Sequence, residues 1–143
     1  MQIGFREQIG LFLIMIGSFQ MYSQTLHLYG GDDHDVYLGC LNCNQYDSNS
    51  IWNEYGTYGN KYGANSIWNE YGTYGNPYSP VSPWNSYSSE SPVVVDKNGG
   101  FYGYLTSNKY ASSRADFELA EFLCEFHELI REDVGLWYEK LFE

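Results

Sequence analysis

The stretch Ser50-Ile51-Trp52-Asn53-Glu54-Tyr55-Gly56-Thr57-Tyr58-Gly59-Asn60 recurs without a mismatch as Ser66 to Asn76, sixteen positions on. A fixed period this short marks one small structural unit used repeatedly, with neighbouring units burying a shared core. A worn third copy, Ser82-Pro83-Trp84-Asn85-Ser86-Tyr87, keeps the phase, so the repeats divide as 44–59, 60–75 and 76–91. Proline replaces Ile51 and Ile67 directly after the serine. If the serine caps a helical turn, that is the first helical position, where proline is tolerated. Each unit is therefore expected to form one capped helical turn, closed by Gly56 or Gly72 in the left-handed conformation, then a string of tight turns. Ser88 stands where the other copies have glycine, so the third turn should end differently.

The period reaches beyond the copies. Gly39, Leu41, Asn44 and Tyr46 match Gly103, Leu105, Asn108 and Tyr110 at an offset of 64, four periods. Asn44, Asn60, Asn76 and Asn108 share one phase, as do Tyr46, Tyr62, Tyr78 and Tyr110. Strands are expected at the two ends of this region. Val93 to Asp96 and Phe101 to Thr106 are β-prone runs around Asn98-Gly99, a hairpin signal, and Val36 to Asn42 supplies a further strand. From Ser113 the period becomes helical: Leu119, Phe122, Leu123, Phe126 and Ile130 form a stripe, with Glu118, Glu121, Glu125, Glu128 and Glu132 largely opposite. A second short helix should start at Asp133 and carry Leu136, Trp137, Leu141 and Phe142. The fold class is α+β: a small antiparallel β-sheet, turn-rich sixteen-residue repeats and C-terminal amphipathic helices. In domain terms, residues 24–114 form the aromatic repeat and β domain, and residues 115–143 an acidic helical C-terminus packed on it.

Residues 1–23 stand apart. Arg6 lies in a short polar opening, and Leu11 to Ile16 forms an apolar run too short to span a bilayer, followed by Ser18 and Ser23. This is the layout of a secretory signal peptide, and it predicts an exported protein (periplasm, cell surface or secreted) with no membrane span in the mature chain. Losing Arg6 and Glu7 leaves 6 basic against 17 acidic residues and a net charge of −11, a balance that repels nucleic acid and anionic lipid. The charge is uneven, with 9 acids and 3 bases from Arg114 to Glu143.

Candidate chemistry is sparse. Cys40 and Cys43 have the spacing of half a zinc site or a redox dithiol, yet they match Tyr104 and Ser107 in the flanking copy, so the unit does not require thiols. A local disulfide or two unreactive thiols are the simpler readings, and a metal- or thiol-dependent protein using Cys40, Cys43 and His34 or Cys124 is the alternative. Asp32, Asp33, His34 and Asp35 lack the spacing of an EF-hand loop. His127-Glu128 begins a zinc-protease motif that fails at Arg131, where the second histidine is needed. Serine is plentiful without a nucleophile elbow. No enzyme, catalytic residue, metal or cofactor is implied. The remaining candidate is the aromatic set Trp52, Tyr55, Tyr58, Trp68, Tyr71, Tyr74, Trp84 and Tyr87, set among amides that could meet sugar rings or protein side chains. Trp and Ile are expected to face inward, with the glycine-flanking tyrosines more exposed. Partners are then an envelope protein or a glycan. A purely structural protein with a helix-mediated partner, docking through Phe122, Phe126, Trp137 and Phe142, is a further alternative.

The run Asp35 to Cys43, the Ser-Ile-Trp-Asn-Glu-Tyr-Gly-x-Tyr-Gly repeats, the Ser-Pro-Trp-Asn copy and Phe101-Tyr-Gly-Tyr-Leu105 together resemble a family of small bacterial proteins with such sixteen-residue aromatic repeats. The resemblance covers about Leu28 to Arg114. It implies no activity and no catalytic residue, because that family has none assigned.

Overall fold

The computed structural model describes residues 24–143; the expected signal peptide lies outside the described residues. Among the described residues four strands and two helices follow in order: β1 (His27–Gly30), β2 (Val36–Cys40), β3 (Val93–Val95), β4 (Phe101–Tyr104), α1 (Glu118–Glu132) and α2 (Val134–Phe142). The strands form one antiparallel sheet in the order β2-β1-β3-β4, so the fold is α+β as expected.

The sheet is two hairpins joined back to back through their first strands. Its central pair is Leu28 opposite Val94, both fully buried. The expected 64-residue offset is visible as register. Gly39 and Gly103 both adopt positive φ, at 113° and 104°, beside an irregularity in each hairpin, a conformation that glycine adopts without steric cost. Just beyond each glycine the chain meets the segment ten residues on, through the parallel bridges Cys40–Ser50 and Tyr104–Arg114. Matching backbone bonds run from Cys40 N to Asn49 O (2.6 Å) and from Tyr104 N to Ser113 O (2.9 Å). Around Asn98-Gly99 the connection is a longer loop than a two-residue turn, with the Asp96 carboxylate accepting from the backbone N–H groups of Asn98 and Gly100. β1 was not among the expected strands.

Between the hairpins run the repeats, and here the helical turn is corrected. Backbone bonds of the i to i+3 kind link Asn44, Asp47, Ser50, Asn53 and Gly56 in succession, an i to i+4 bond joins Gly56 to Asn60, and the series then restarts with Gly63, Ser66, Asn69 and Gly72. Four three-residue steps and one four-residue step make each sixteen-residue coil a five-cornered ring of linked turns. Gly56 and Gly72 are absent from the glycines at positive φ. Side chains that bond their own backbone compete with helix extension: Ser50, Ser66 and Ser82 accept from the N–H of Trp52, Trp68 and Trp84, and Asn53, Asn69 and Asn85 then start the next turn at once. Glycine is required at Gly59 and Gly75 by proximity, since a Cβ there would lie 2.0 and 2.1 Å from the carbonyl oxygens of Asn53 and Asn69. The third copy does end differently: the Ser88 hydroxyl donates to the Pro80 carbonyl and accepts from Glu90 N–H.

The helices close the core. Leu119, Phe122, Leu123, Phe126 and Ile130 of α1 and Val134, Trp137, Tyr138 and Leu141 of α2 join Leu28, Leu38, Val94, Ile51 and Ile67 in one apolar cluster. Asp133 caps α2 as expected, its carboxylate accepting from Leu136 N–H at 3.2 Å. α1 departs from helical geometry at Phe126 (φ −120°, ψ 16°).

Candidate functional site

The aromatic residues of the coils fall into two groups. Trp52, Trp68 and Trp84 are inside, with exposures of 1, 1 and 4%, which confirms the inward expectation and removes them from the candidate binding residues. Their rings form a column with centroid spacings of 5.9 and 6.0 Å. Each indole N–H is satisfied, as a buried one should be: Trp52 donates to Leu41 O, Trp68 to Ile51 O and Trp84 to Ile67 O, at 2.6–2.7 Å. Both ends are closed by the helices. Phe142 and Tyr138 of α2 contact Trp52 at centroid distances of 5.6 and 6.2 Å, and His127 of α1 lies parallel on Trp84 at 4.3 Å.

The tyrosines follow a rule visible in the sequence. Seven Asn-x-Tyr triplets occur, ending at Tyr46, Tyr55, Tyr62, Tyr71, Tyr78, Tyr87 and Tyr110. In every one the asparagine Oδ1 accepts from the tyrosine N–H, at 2.9–3.1 Å, an Asx turn. In every one the tyrosine is 76–96% exposed, and among the described residues these are the only tyrosines that count as large exposed hydrophobic side chains. Tyr55, Tyr71 and Tyr87 recur at one phase, while Tyr46, Tyr62, Tyr78 and Tyr110 share another. The second group was missed as a set of site residues; the asparagine two positions earlier is the signal that finds it. Tyr58 and Tyr74, also candidates, are half-buried on the hairpin side: Tyr58 meets Tyr37 edge-on at 5.0 Å, and Tyr74 lies against Gly30. The glycine-flanking tyrosines are thus all more exposed than the tryptophans, as expected, but flanking glycine does not separate the fully exposed rings from the half-buried pair.

Grooves lie on either side of Tyr55. One of about 390 Å³ is bordered by Tyr46 and Tyr55 and takes in Glu54, Asp133 and Glu139. The other, of about 240 Å³, is bordered by Tyr55 and Tyr62 and takes in Glu54, Lys61 and Arg131. Arg131 also meets Glu70 at 3.3 Å, which anchors the helix junction to the second coil. The asparagine amides that precede Tyr55, Tyr71 and Tyr87 are committed: Asn53, Asn69 and Asn85 also donate through Nδ2 to Asp47 O, Gly63 O and Ser79 O. Polar contact with a ligand would come from the groove side chains rather than from these amides.

The groups of possible reactive character are placed elsewhere. Cys40 and Cys43 form a disulfide. Cys124 is a free thiol, and burial pushes it up to about 11, against the opposing influence of Arg114 and Ser107. His127 Nδ1–H donates to the Cys124 carbonyl at 3.1 Å, and burial lowers its pKa, with that bond and Glu128 pulling the other way. Asp32, Asp33 and Asp35 are exposed, while His34 is held in place: Nε2–H donates to Ser91 O at 2.9 Å and its ring meets Tyr104. His27 pairs with the Tyr37 hydroxyl at 2.7 Å. No helix among the described residues is long and apolar enough to cross a membrane, and among them no group of three or more His, Cys, Asp or Glu side chains is placed to hold a metal ion.

No protein-family model, curated protein or solved structure matches the chain.

Proposed function

We propose that this protein is an exported, non-catalytic binding or assembly module whose contact surface is the set of Asn-x-Tyr tyrosines. The observation that carries the reading is that all seven are presented to solvent by the same turn. Folding explains the asparagine in each triplet, which bonds the backbone. It does not explain the tyrosine, which is at least three-quarters exposed and so contributes little burial. The third copy sharpens this point. It has replaced Ile67, Glu70 and Gly72 by Pro83, Ser86 and Ser88 but retains serine, tryptophan, asparagine and tyrosine; the first three are structural, and Tyr87, at 92% exposure, is the exception. Rigid tyrosines with few rotatable bonds are economical contact residues.

Export is supported by the apolar run at Leu11 to Ile16 and by the Cys40–Cys43 disulfide, a bond that persists in oxidising compartments. The resemblance to small bacterial proteins points to an envelope setting. A direct test is co-sedimentation of the protein with isolated bacterial envelopes, alongside a variant carrying Tyr55→Ala, Tyr71→Ala and Tyr87→Ala. Wild type is expected in the pellet and the variant in the supernatant, with the two unfolding at the same temperature. Equal sedimentation of both would refute the tyrosine surface.

A further inference from the structure

Resting on the reading of the tyrosines as a contact surface, we infer that the ligand is an uncharged, extended polysaccharide, gripped by tyrosine rings on successive coils. Three observations select this chemistry. The first is the residue between asparagine and tyrosine, which is Gln45, Glu54, Lys61, Glu70, Pro77, Ser86 and Lys109 in turn. Both signs of charge, two neutral polar side chains and a proline occupy one structural position, so charge beside the ring is not part of what is repeated; the ring is. A surface that repeats only an aromatic face recognises a partner by its apolar faces, and the C–H faces of sugar rings are such faces on an otherwise hydroxylated polymer.

The second is regularity. The tryptophan centroids inside the coils are spaced 5.9 and 6.0 Å apart, and a tyrosine returns at the same phase of each sixteen-residue coil. A periodic row of contacts matches a periodic linear ligand, which can engage several rings at once and gain by multivalency. A folded protein partner without repeats of its own offers no such match. The third is the setting. The two grooves that share Tyr55 and Glu54 contain carboxylates at Glu54, Glu132, Asp133 and Glu139, acceptors suited to sugar hydroxyls. The smaller groove also holds Lys61 and Arg131 as donors, and it is the chain's net charge of −11 that repels polyanions such as nucleic acids and uronic-acid polymers.

The test uses the purified full chain with insoluble chitin and cellulose, with soluble chito- and cello-oligosaccharides of two to six sugars, and with polygalacturonate and poly-L-lysine as charged comparisons. Binding is expected to a neutral polymer and not to polygalacturonate. Affinity should rise at least tenfold from disaccharide to hexasaccharide and fall at least tenfold in the Tyr55→Ala, Tyr71→Ala, Tyr87→Ala variant, whose melting temperature should be unchanged. Retention on poly-L-lysine alone, lost in the same variant, would overturn the glycan assignment while leaving the tyrosine surface standing. Glycan binding that the variant retains in full would place the site elsewhere and overturn both. Binding that is flat from disaccharide to hexasaccharide would overturn the multi-coil grip.

Discussion

Tryptophan and tyrosine occupy the same place in the same kind of turn, and the molecule treats them in opposite ways. Trp68 sits two residues after Ser66, whose hydroxyl accepts its N–H; Tyr71 sits two residues after Asn69, whose amide oxygen accepts its N–H. Three positions separate them along one coil, yet Trp68 is 1% and Tyr71 84% exposed. Local chemistry therefore builds the corner, and the corner's phase around the ring decides whether its side chain joins the core or meets solvent. Core burial and solvent display are assigned to different corners of one repeated unit.

The largest effect that could break this division comes from truncating one ring of each kind. Trp68→Ala removes the middle of the tryptophan column, between Trp52 and Trp84, and the indole donor to Ile51 O. Loss of a buried tryptophan costs about 3–5 kcal/mol, enough to bring a small domain close to unfolding. Tyr71→Ala should stay within about 0.5 kcal/mol of wild type, as exposed substitutions usually do. Urea denaturation of both variants measures the contrast. Similar losses would mean that the tyrosines support the fold and that their exposure says nothing about binding.

A smaller effect tests the corner itself. Asn69→Ala removes both the Oδ1 acceptor for Tyr71 N–H and the Nδ2 donor to Gly63 O while leaving every ring in place. A cost of about 1 kcal/mol for each bond lost, roughly 2 in all, is the expected change in denaturant stability. The Tyr71 ring should also lose its fixed direction, so ligand affinity should fall although Tyr71 is intact. Unchanged binding in Asn69→Ala would show that the Asx turn serves the coil alone and does not prepare the tyrosine.

Much of this division was legible in the sequence. The sixteen-residue period, the inward tryptophans, the hairpin at Asn98-Gly99, the 64-residue correspondence and the Asp133 cap all leave marks in residue identity, because each depends on a bond or a steric demand that few side chains satisfy. The turn conformation did not separate cleanly from a helix, for a physical reason. A serine hydroxyl accepting the N–H two residues on, followed by an i to i+3 backbone bond, begins both structures. What decides between them is Asn53, Asn69 or Asn85, which starts a new side-chain turn where a helix would need the next backbone bond. β1 escaped notice because His27–Gly30 is only four residues long and ends in glycine, leaving too little alternation to register. The exposed tyrosines were half legible: the shared phases are plain, and flanking glycine set the tyrosines apart from the buried tryptophans, but only the preceding asparagine separates the fully exposed rings from Tyr58 and Tyr74.

The smallest expected effect concerns the end of the tryptophan column, where a titratable ring takes the place of another aromatic. His127 lies flat on Trp84, next to Glu128 and Arg131 on its own helix, with Nδ1–H held by the Cys124 carbonyl. Burial lowers its folded-state pKa below the ordinary 6.5, so the folded protein favours neutral imidazole. The stability linked to this preference is fully present above about pH 6.5 and is lost as pH falls through the lowered folded value, because the unfolded chain takes up the proton first. Melting temperature should therefore decline between neutral and mildly acidic pH, and His127→Phe, which keeps a flat ring on Trp84 but cannot titrate, should decline less steeply. His27, whose pKa is also lowered by burial, contributes a slope of the same sign to both proteins, so the difference between the two profiles isolates His127. Parallel profiles would mean that the column's end is insensitive to the proton. The comparison would then sharpen, with acid acting on the hairpin side and the tryptophan column indifferent to it.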